Sequence, residues 1–187
     1  MTQELQEVLW SCPPNSSAHI AGTLSLCIGM PVMICNNDAT ELCITKGQEA
    51  IVAGWTSSLG PYGHLALDTL FLQLINPPRD IQIEGLPKNI IPMSKVTSTI
   101  RCRLPNDTIV SVKRQQVLVL PNFSMTDYAS QGKTRENNVV DLGKSKNCLS
   151  FYTALSRSSN AAGTVIVQGF DSDKITRGIP GYLHQEF

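Results

Sequence analysis

From Leu24 to Leu118 the apolar runs are cut again and again by turn-forming residues, and this punctuation constrains the fold more than any other feature. Leu24–Ile34 is followed by Asn36-Asn37-Asp38, Glu49–Trp55 by Gly60-Pro61-Tyr62-Gly63, and Leu65–Ile75 by Asn76-Pro77-Pro78. Two more strand candidates, Val96–Leu104 and Thr108–Leu120, flank the turn Pro105-Asn106-Asp107. In the second, Ile109, Val110, Val112, Val117 and Val119 are β-branched, which suits a pleated, half-buried surface. Short strands at close spacing, with no helical pattern between them, predict a small barrel or sandwich.

After Pro121 the pattern changes. Phe123–Met125 reads as a strand end, and Thr126 and Asp127 as caps for a helix beginning over Tyr128–Gln131. Asn138–Leu142 and Thr164–Gln168 read as buried strands on either side of a helix over Cys148–Arg157, which carries Leu149, Tyr152 and Leu155 on one face. Alternating strands and helix predict a parallel sheet covered by helices. The tail after Phe170 reads as loop. At 187 residues the chain is sized for one domain, or one domain with an insertion.

Composition removes several classes of function. With 42% apolar and 16% charged residues the chain is neither disordered nor membrane-embedded by composition. No apolar stretch reaches the length of a bilayer span, and Met1–Gln6 lacks the basic start of a secretion signal. The six cysteines never approach a CxxC pair and His19, His64 and His184 are scattered, so no metal site is expected and reduced thiols are. No nucleophile constellation and no GxGxxG point to a metabolic enzyme.

Net charge is zero, which argues against a polyanion-binding surface as a whole. Its distribution is uneven. Residues 1–50 hold five acids against Lys46, while residues 79–118 hold seven bases (Arg79, Lys88, Lys95, Arg101, Arg103, Lys113, Arg114) against three acids. The basic segment reads either as a phosphate track or as strands with one solvated face. Trp55 and Tyr62 read either as stacking platforms for bases or as packing residues.

Gly132-Lys133-Thr134 has the ending of a phosphate-cradling P-loop, but Asp127 stands where the loop needs its first glycine, and no other GxxxxGK[ST] occurs. Read singly, the stretch Met125–Thr134 is a capped helix start, and Tyr152-Thr153-Ala154-Leu155-Ser156-Arg157 is a helix whose arginine complements the helix dipole.

In order and spacing, however, these two segments resemble motifs V and VI of the Pif/RecD-like branch of superfamily 1 DNA helicases. There a strand end leads into S/T-x-H-x-x-Q-G-x-T, and a Y-x-A-L-S/T-R helix follows. Gly29-Met30-Pro31-Val32-Met33, Asn37, Gly47, Val52 and Gly54 are similar to the family's G-x-x-V-M…N…G-x-x-V-x-G stretch. The wording around Asn122–Tyr128 and Gly163–Phe170 is similar to Helitron-type, Pif-like sequences of fungal genomes. The resemblance covers about residues 24–170.

The resemblance implies an α/β fold, a partial RecA-like (P-loop NTPase) second helicase domain with an SH3-like β-barrel insertion. Residues 1–24 would be a lead-in, either part of the RecA-like domain or separate from it, 25–118 the SH3-like module, and 119–187 the C-terminal half of the RecA-like domain. It implies ATP-dependent DNA unwinding with 5′-to-3′ polarity, in repair, recombination, telomere maintenance or transposon movement. ATP and Mg²⁺ would serve the complete enzyme, single-stranded DNA and a first RecA-like domain would be partners, and the location would be intracellular, nuclear or mitochondrial in a eukaryote. Arg157 would be the arginine finger, Gln131 and Gly132 would face the nucleotide cleft, and Thr126 and Tyr128 would touch the single strand. Where the family carries histidine this chain has Tyr128, a phenol that can stack or donate one hydrogen bond. With no Walker A or acidic Walker B segment among these residues, the chain alone is expected to hydrolyse no ATP. The competing expectation is a non-catalytic nucleic-acid or protein-binding module, or a decayed helicase remnant.

Overall fold

A computed structural model describes residues 2–17, 20–126, 130, 132–176 and 181. The chain is mixed α/β and divides into two compact units, Met1–Phe123 and Ser124–Phe187.

The first unit opens with helix α1 (Gln3–Ser11), whose N-terminus is capped by the Thr2 hydroxyl accepting from the Leu5 amide. Strands β1 (Pro31–Ile34), β2 (Glu49–Leu59), β3 (Leu65–Leu74), β4 (Ile90–Ser94) and β7 (Val119–Pro121) form an antiparallel sheet in the order β4-β3-β2-β1-β7. Strands β5 (Val96–Arg103) and β6 (Ile109–Gln116) make a separate antiparallel ribbon. Among the described residues the strands do not close into a barrel: β4 and β7 are the sheet's edges, and Pro92, without an amide to donate, sits on edge strand β4.

Strand alternation puts Val32, Ile34, Ala50, Val52, Leu70, Leu72, Leu74, Ile91 and Met93 on one buried face. Val117, Val119 and, from the 75–89 loop, Ile81 complete that core. A second, smaller core lies under the ribbon, where Ile100 and Cys102 meet Leu9 of α1. Arg114, buried on that same inner face, donates from Nη2 to the Leu9 carbonyl (2.8 Å) and from Nη1 to the Ile20 carbonyl (2.5 Å). It thereby satisfies a carbonyl in the last turn of α1 that no helical amide can reach, with a charge that suits that end of the dipole. Gly22 lets the chain pass close to α1: a Cβ there would come within 2.5 Å of the Trp10 carbonyl oxygen.

Several boundaries differ from the sequence reading. Of Leu24–Ile34 only the last four residues are strand, because Gly29 takes a left-handed φ of 84° and breaks the run. The run Thr108–Leu120 is two strands belonging to different sheets. Strand β4 and helix α1 were not expected.

The second unit contains β8 (Asn138–Val140), α2 (Cys148–Leu155), β9 (Thr164–Ile166) and a single turn of helix, α3 (Asp173–Thr176), where the sequence suggested only loop. The two strands are parallel, Asn138 opposite Thr164 and Val140 opposite Ile166, with α2 as the crossover. Asn147 caps α2, its Oδ1 accepting from the Ser150 amide at 3.0 Å. The buried side of α2 is Phe151 and Ala154, with Leu155 partly covered, packed on Val140 and Leu142. This corrects the face expected from sequence, since Tyr152 is 69% exposed and Leu149 41%. Phe123–Met125 forms no strand, and the helix expected over Tyr128–Gln131 lies largely outside the described residues.

Candidate functional site

The two segments singled out in the second unit come together through the backbone. Beyond the end of α2 the chain turns at Ser156, and the Arg157 carbonyl accepts the Arg135 amide at 2.7 Å while the Ser159 amide donates to the Arg135 carbonyl at 2.8 Å. An isolated parallel bridge, Arg135 with Ser158, thus extends the line of β8 and β9 toward the Gly132 turn. Asn138 reinforces it: its Nδ2 donates to the Ala154 carbonyl and to Ser158 Oγ, both at 2.9 Å, tying the end of α2 to β8.

Arg157 is therefore not the last residue of a helix, as its sequence pattern suggested, but lies two residues past Leu155. Its guanidinium turns toward the Gly132 turn, Nη1 donating to the Ser130 carbonyl (3.5 Å) and Nη2 to Ser156 Oγ (2.8 Å). Arg157 Nε is buried and has no hydrogen-bond partner among the described residues. A guanidinium held by one long and one good hydrogen bond, with a buried N–H unused, retains donors for an anion.

The turn itself is built from Thr126, whose carbonyl accepts the Ser130 amide (3.1 Å), and from Ser130, whose carbonyl accepts the Lys133 amide (3.1 Å). Gly132 has φ of 78°, a left-handed conformation that would strain any side-chain-bearing residue. Arg135 reaches back from beyond the turn, Nη2 to Met125 Sδ at 3.6 Å. Of the expected site residues, Arg157, Gly132 and the exposed Thr126 are thus placed around one turn. Tyr128 and Gln131 lie outside the described residues. Ser130 and Arg135, at the turn, and Asn138, which ties α2 to β8, were not singled out from sequence; Ser130 and Arg135 had a positional signal only, each beside a motif residue.

At the opposite end of β8, Asp141 accepts from Gln168 Nε2 (2.6 Å) and from the Gly143 amide (3.0 Å), and those two hydrogen bonds hold its carboxyl below the usual range. No group of His, Cys, Asp or Glu able to hold a metal ion occurs among the described residues. Nor is any described helix long and apolar enough to cross a membrane.

In the first unit, Trp55 and Tyr62 are both partly exposed, at 42% and 45%. Trp55 lines a cavity, whereas Tyr62 sits at the β2–β3 hairpin tip with φ of 60°. Of the cysteines, Cys12, Cys43 and Cys102 are buried, Cys27 is exposed, and all six are free thiols.

No protein-family model matches the sequence, and no curated protein matches it. Solved structures do. The chain is similar to a Pif1 helicase from Bacteroides in complex with ADP-AlF3 and ssDNA, at 20% identity over 91% of this chain and 35% of that one, with TM-score 0.62. It is similar to Bacteroides Pif1 bound to ssDNA at 21% identity over 88% and 34%, TM-score 0.59, and to Pif1 helicase from Candida albicans at 19% over 94% and 38%, TM-score 0.58. At these identities the likeness establishes a shared fold, and this chain spans about a third of the length of those it matches.

Proposed function

We propose that the chain is the motif V and VI portion of an ATP-dependent DNA helicase of the Pif/RecD-like kind, its second unit part of a RecA-like domain and its first unit an SH3-like insertion. The observation that carries the reading is the agreement of two independent lines. The fold match runs through both units, and Arg157 meets the Gly132 turn with donor capacity left over. In this reading Arg157 would supply charge to the γ-phosphate of an ATP bound by another domain, a contribution worth roughly a thousandfold or more in rate. ATP itself would supply the phosphoryl transfer. The buried, unpartnered Nε of Arg157 fits an anion. Mg²⁺ finds no acidic or imidazole cluster among the described residues and would be held with the nucleotide elsewhere.

Gly132, with Gln131, would couple the cleft to domain closure, because glycine permits, without strain, the left-handed turn against which the guanidinium rests. Thr126 and Tyr128 would hold a single strand, with 5′-to-3′ movement and an intracellular, nuclear or mitochondrial setting following from the family reading.

The 187 residues contain no GxxxxGK[ST]. The chain alone is therefore expected to show no ATP hydrolysis, with or without single-stranded DNA. A DNA-stimulated activity that disappears in Arg157→Ala would overturn this division of labour. Salt-sensitive binding of single-stranded DNA, weakened by Thr126→Ala or Tyr128→Ala in a fluorescence anisotropy titration, is the positive expectation. Binding untouched by both changes would remove these two residues from the site.

A further inference from the structure

The basic segment of the first unit resolves into two groups. Four of its seven cations already have partners within the protein. Lys88 pairs with Asp80 at 2.8 Å, Lys95 with Asp68 at 2.6 Å, Arg79 donates to the Glu41 carbonyl, and Arg114 is buried against α1. The other three, Arg101, Arg103 and Lys113, are exposed and have no ion-pair partner among the described residues. They also share one surface. Register places Thr97 opposite Gln115, Thr99 opposite Lys113, Arg101 opposite Ser111 and Arg103 opposite Ile109, so all eight side chains project from the outer face of the β5–β6 ribbon. All eight residues are exposed and none is acidic, whereas the alternate residues Ile100, Cys102 and Arg114 pack inward on α1. Arg101 and Arg103 are spaced by about 7 Å along their strand, comparable with successive phosphates of an extended single strand.

The ribbon face leads into a cavity of about 490 Å³. Gln115 belongs to both, lining the cavity while its Nε2 donates to Thr97 Oγ1 at 3.2 Å. Trp10, Trp55 and His64 give the cavity aromatic surface, Trp10 and His64 meeting edge to face with centroids 4.7 Å apart, and Leu24 and Leu26 give it apolar wall. Lys95 lines it too, already paired with Asp68, and among the described residues no carboxylate is itself part of the lining. An aromatic hollow at the end of a row of unpaired cations suits a flat aromatic ring attached to a phosphate chain.

We propose that the outer face of the β5–β6 ribbon and the adjoining Trp10–Trp55–His64 cavity form a second contact site for single-stranded nucleic acid, with phosphates along Arg101, Arg103 and Lys113 and a base in the cavity. The ligand class is shared with the function proposed above, but the residues are not: every one lies in the first unit, so the site stands or falls separately from Thr126 and Arg157.

The test is fluorescence anisotropy of the whole chain with a labelled oligothymidylate, across a salt series, using Arg101→Gln/Lys113→Gln, Trp55→Ala and Thr126→Ala. All the substituted residues are exposed, and circular dichroism of each variant checks that it remains folded. The double variant is expected to flatten the slope of log K against log salt by about 0.7 for each cation removed. Trp55→Ala is expected to weaken binding roughly five- to hundredfold. An oligomer of the same length without bases is expected to bind more weakly than oligothymidylate to the wild type and equally to Trp55→Ala. Unchanged slope and affinity in the ribbon and Trp55 variants, with loss confined to Thr126→Ala, would overturn this site and leave the function reading standing. Loss in the ribbon variants with Thr126→Ala unaffected would support this site while removing Thr126 from the other. Equal binding of the base-free oligomer to the wild type, or no binding by the wild type at all, would overturn the proposal.

Discussion

The two units solve the burial of a sheet in opposite ways. The first is antiparallel, and an antiparallel sheet can cover one face with its own loops and leave the other wet. Its buried face collects residues from five strands and the 75–89 loop, with Leu70, Leu72, Ile34 and Ile91 fully inaccessible. The second is a parallel pair with three residues per strand, and among the described residues its core is Val140, Leu142, Phe151 and Ala154. On the face away from Val140, Val139 and its register partner Val165 stand 66% and 53% exposed, followed by Val167 at 62%. Parallel sheets are found covered on both faces. The first unit thus has what a self-standing domain needs, and the second has the sequence of a doubly covered sheet of which the described residues cover one face.

That contrast can be broken by mutation. Phe151 is the largest fully buried side chain of the second unit, and truncating such a residue costs about 3–5 kcal/mol. Phe151→Ala is expected to unfold the second unit while the first stays native, seen as loss of the β8, α2 and β9 amide resonances alone. Simultaneous loss of both sets would mean that the units are one cooperative structure. By contrast, Leu72→Ala, in the larger core, is expected to lower the urea midpoint of the first unit by an amount equivalent to about 2–5 kcal/mol without abolishing its fold.

A smaller effect is expected at Gly22, where a Cβ would press on the Trp10 backbone. Gly22→Ala should cost about 1–3 kcal/mol, the usual penalty for overpacking, and should perturb the Trp10 fluorescence through α1. An unchanged unfolding curve would show that the segment after Ile20 is free to move off the helix.

The pH response sharpens the comparison further. Asp68 is held below the ordinary carboxylate range, chiefly by the hydrogen bond from Lys95 and then by that from Ser58. Since its folded pKa is depressed, its stabilising contribution is present above the unfolded value near about 4 and is lost as pH falls through the folded value. Thermal unfolding of the first unit below about pH 4 should therefore decline less steeply in Asp68→Asn than in the wild type. Identical declines would remove this pair from the acid response.

The smallest effect is expected at the bare face of the second unit. Val139→Thr/Val165→Thr should change stability by no more than about 0.5 kcal/mol, as for surface positions generally. A loss of several times that size would show that the face is already covered.

How far these features were legible in the sequence follows the same division. The strands of the first unit could be read because turn formers separate them and one face alternates, as Leu70, Leu72 and Leu74 do. Two exceptions were the run from Leu24, where a left-handed Gly29 confines the strand to its last four residues, and the short edge strand β4, which was not expected. Sheet membership was not readable: nothing local in Thr108–Leu120 says that its two halves join different sheets, because pairing is decided by distant partners. Helix α1 was missed although Leu5 and Leu9 have helical spacing, since nine residues give a weak periodic signal. On α2 the apolar pattern itself misled. Leu149 and Tyr152 look like a packing face but are exposed, and the side that packs is Phe151 with Ala154. The meeting of Arg157 with the Ser130 carbonyl rests on a turn after the helix, which motif order suggested and no residue propensity could. Finally, the net positive stretch concealed which cations were free. Arg114 counts the same as Arg101 in a sequence, yet one is a buried helix cap and the other a bare surface charge.

The contrast between a self-sufficient antiparallel unit and a parallel one that the described residues cover on one face is most directly tested by native-state amide hydrogen exchange resolved by residue. The amides of Val52, Leu70 and Leu72 are expected to exchange only with global unfolding of their unit, and those of β8 and β9, including the Val167 amide bonded to the Val140 carbonyl, roughly a hundredfold or more faster. Equal protection in the two units would contradict the account, because it would show the second sheet to be as complete as the first.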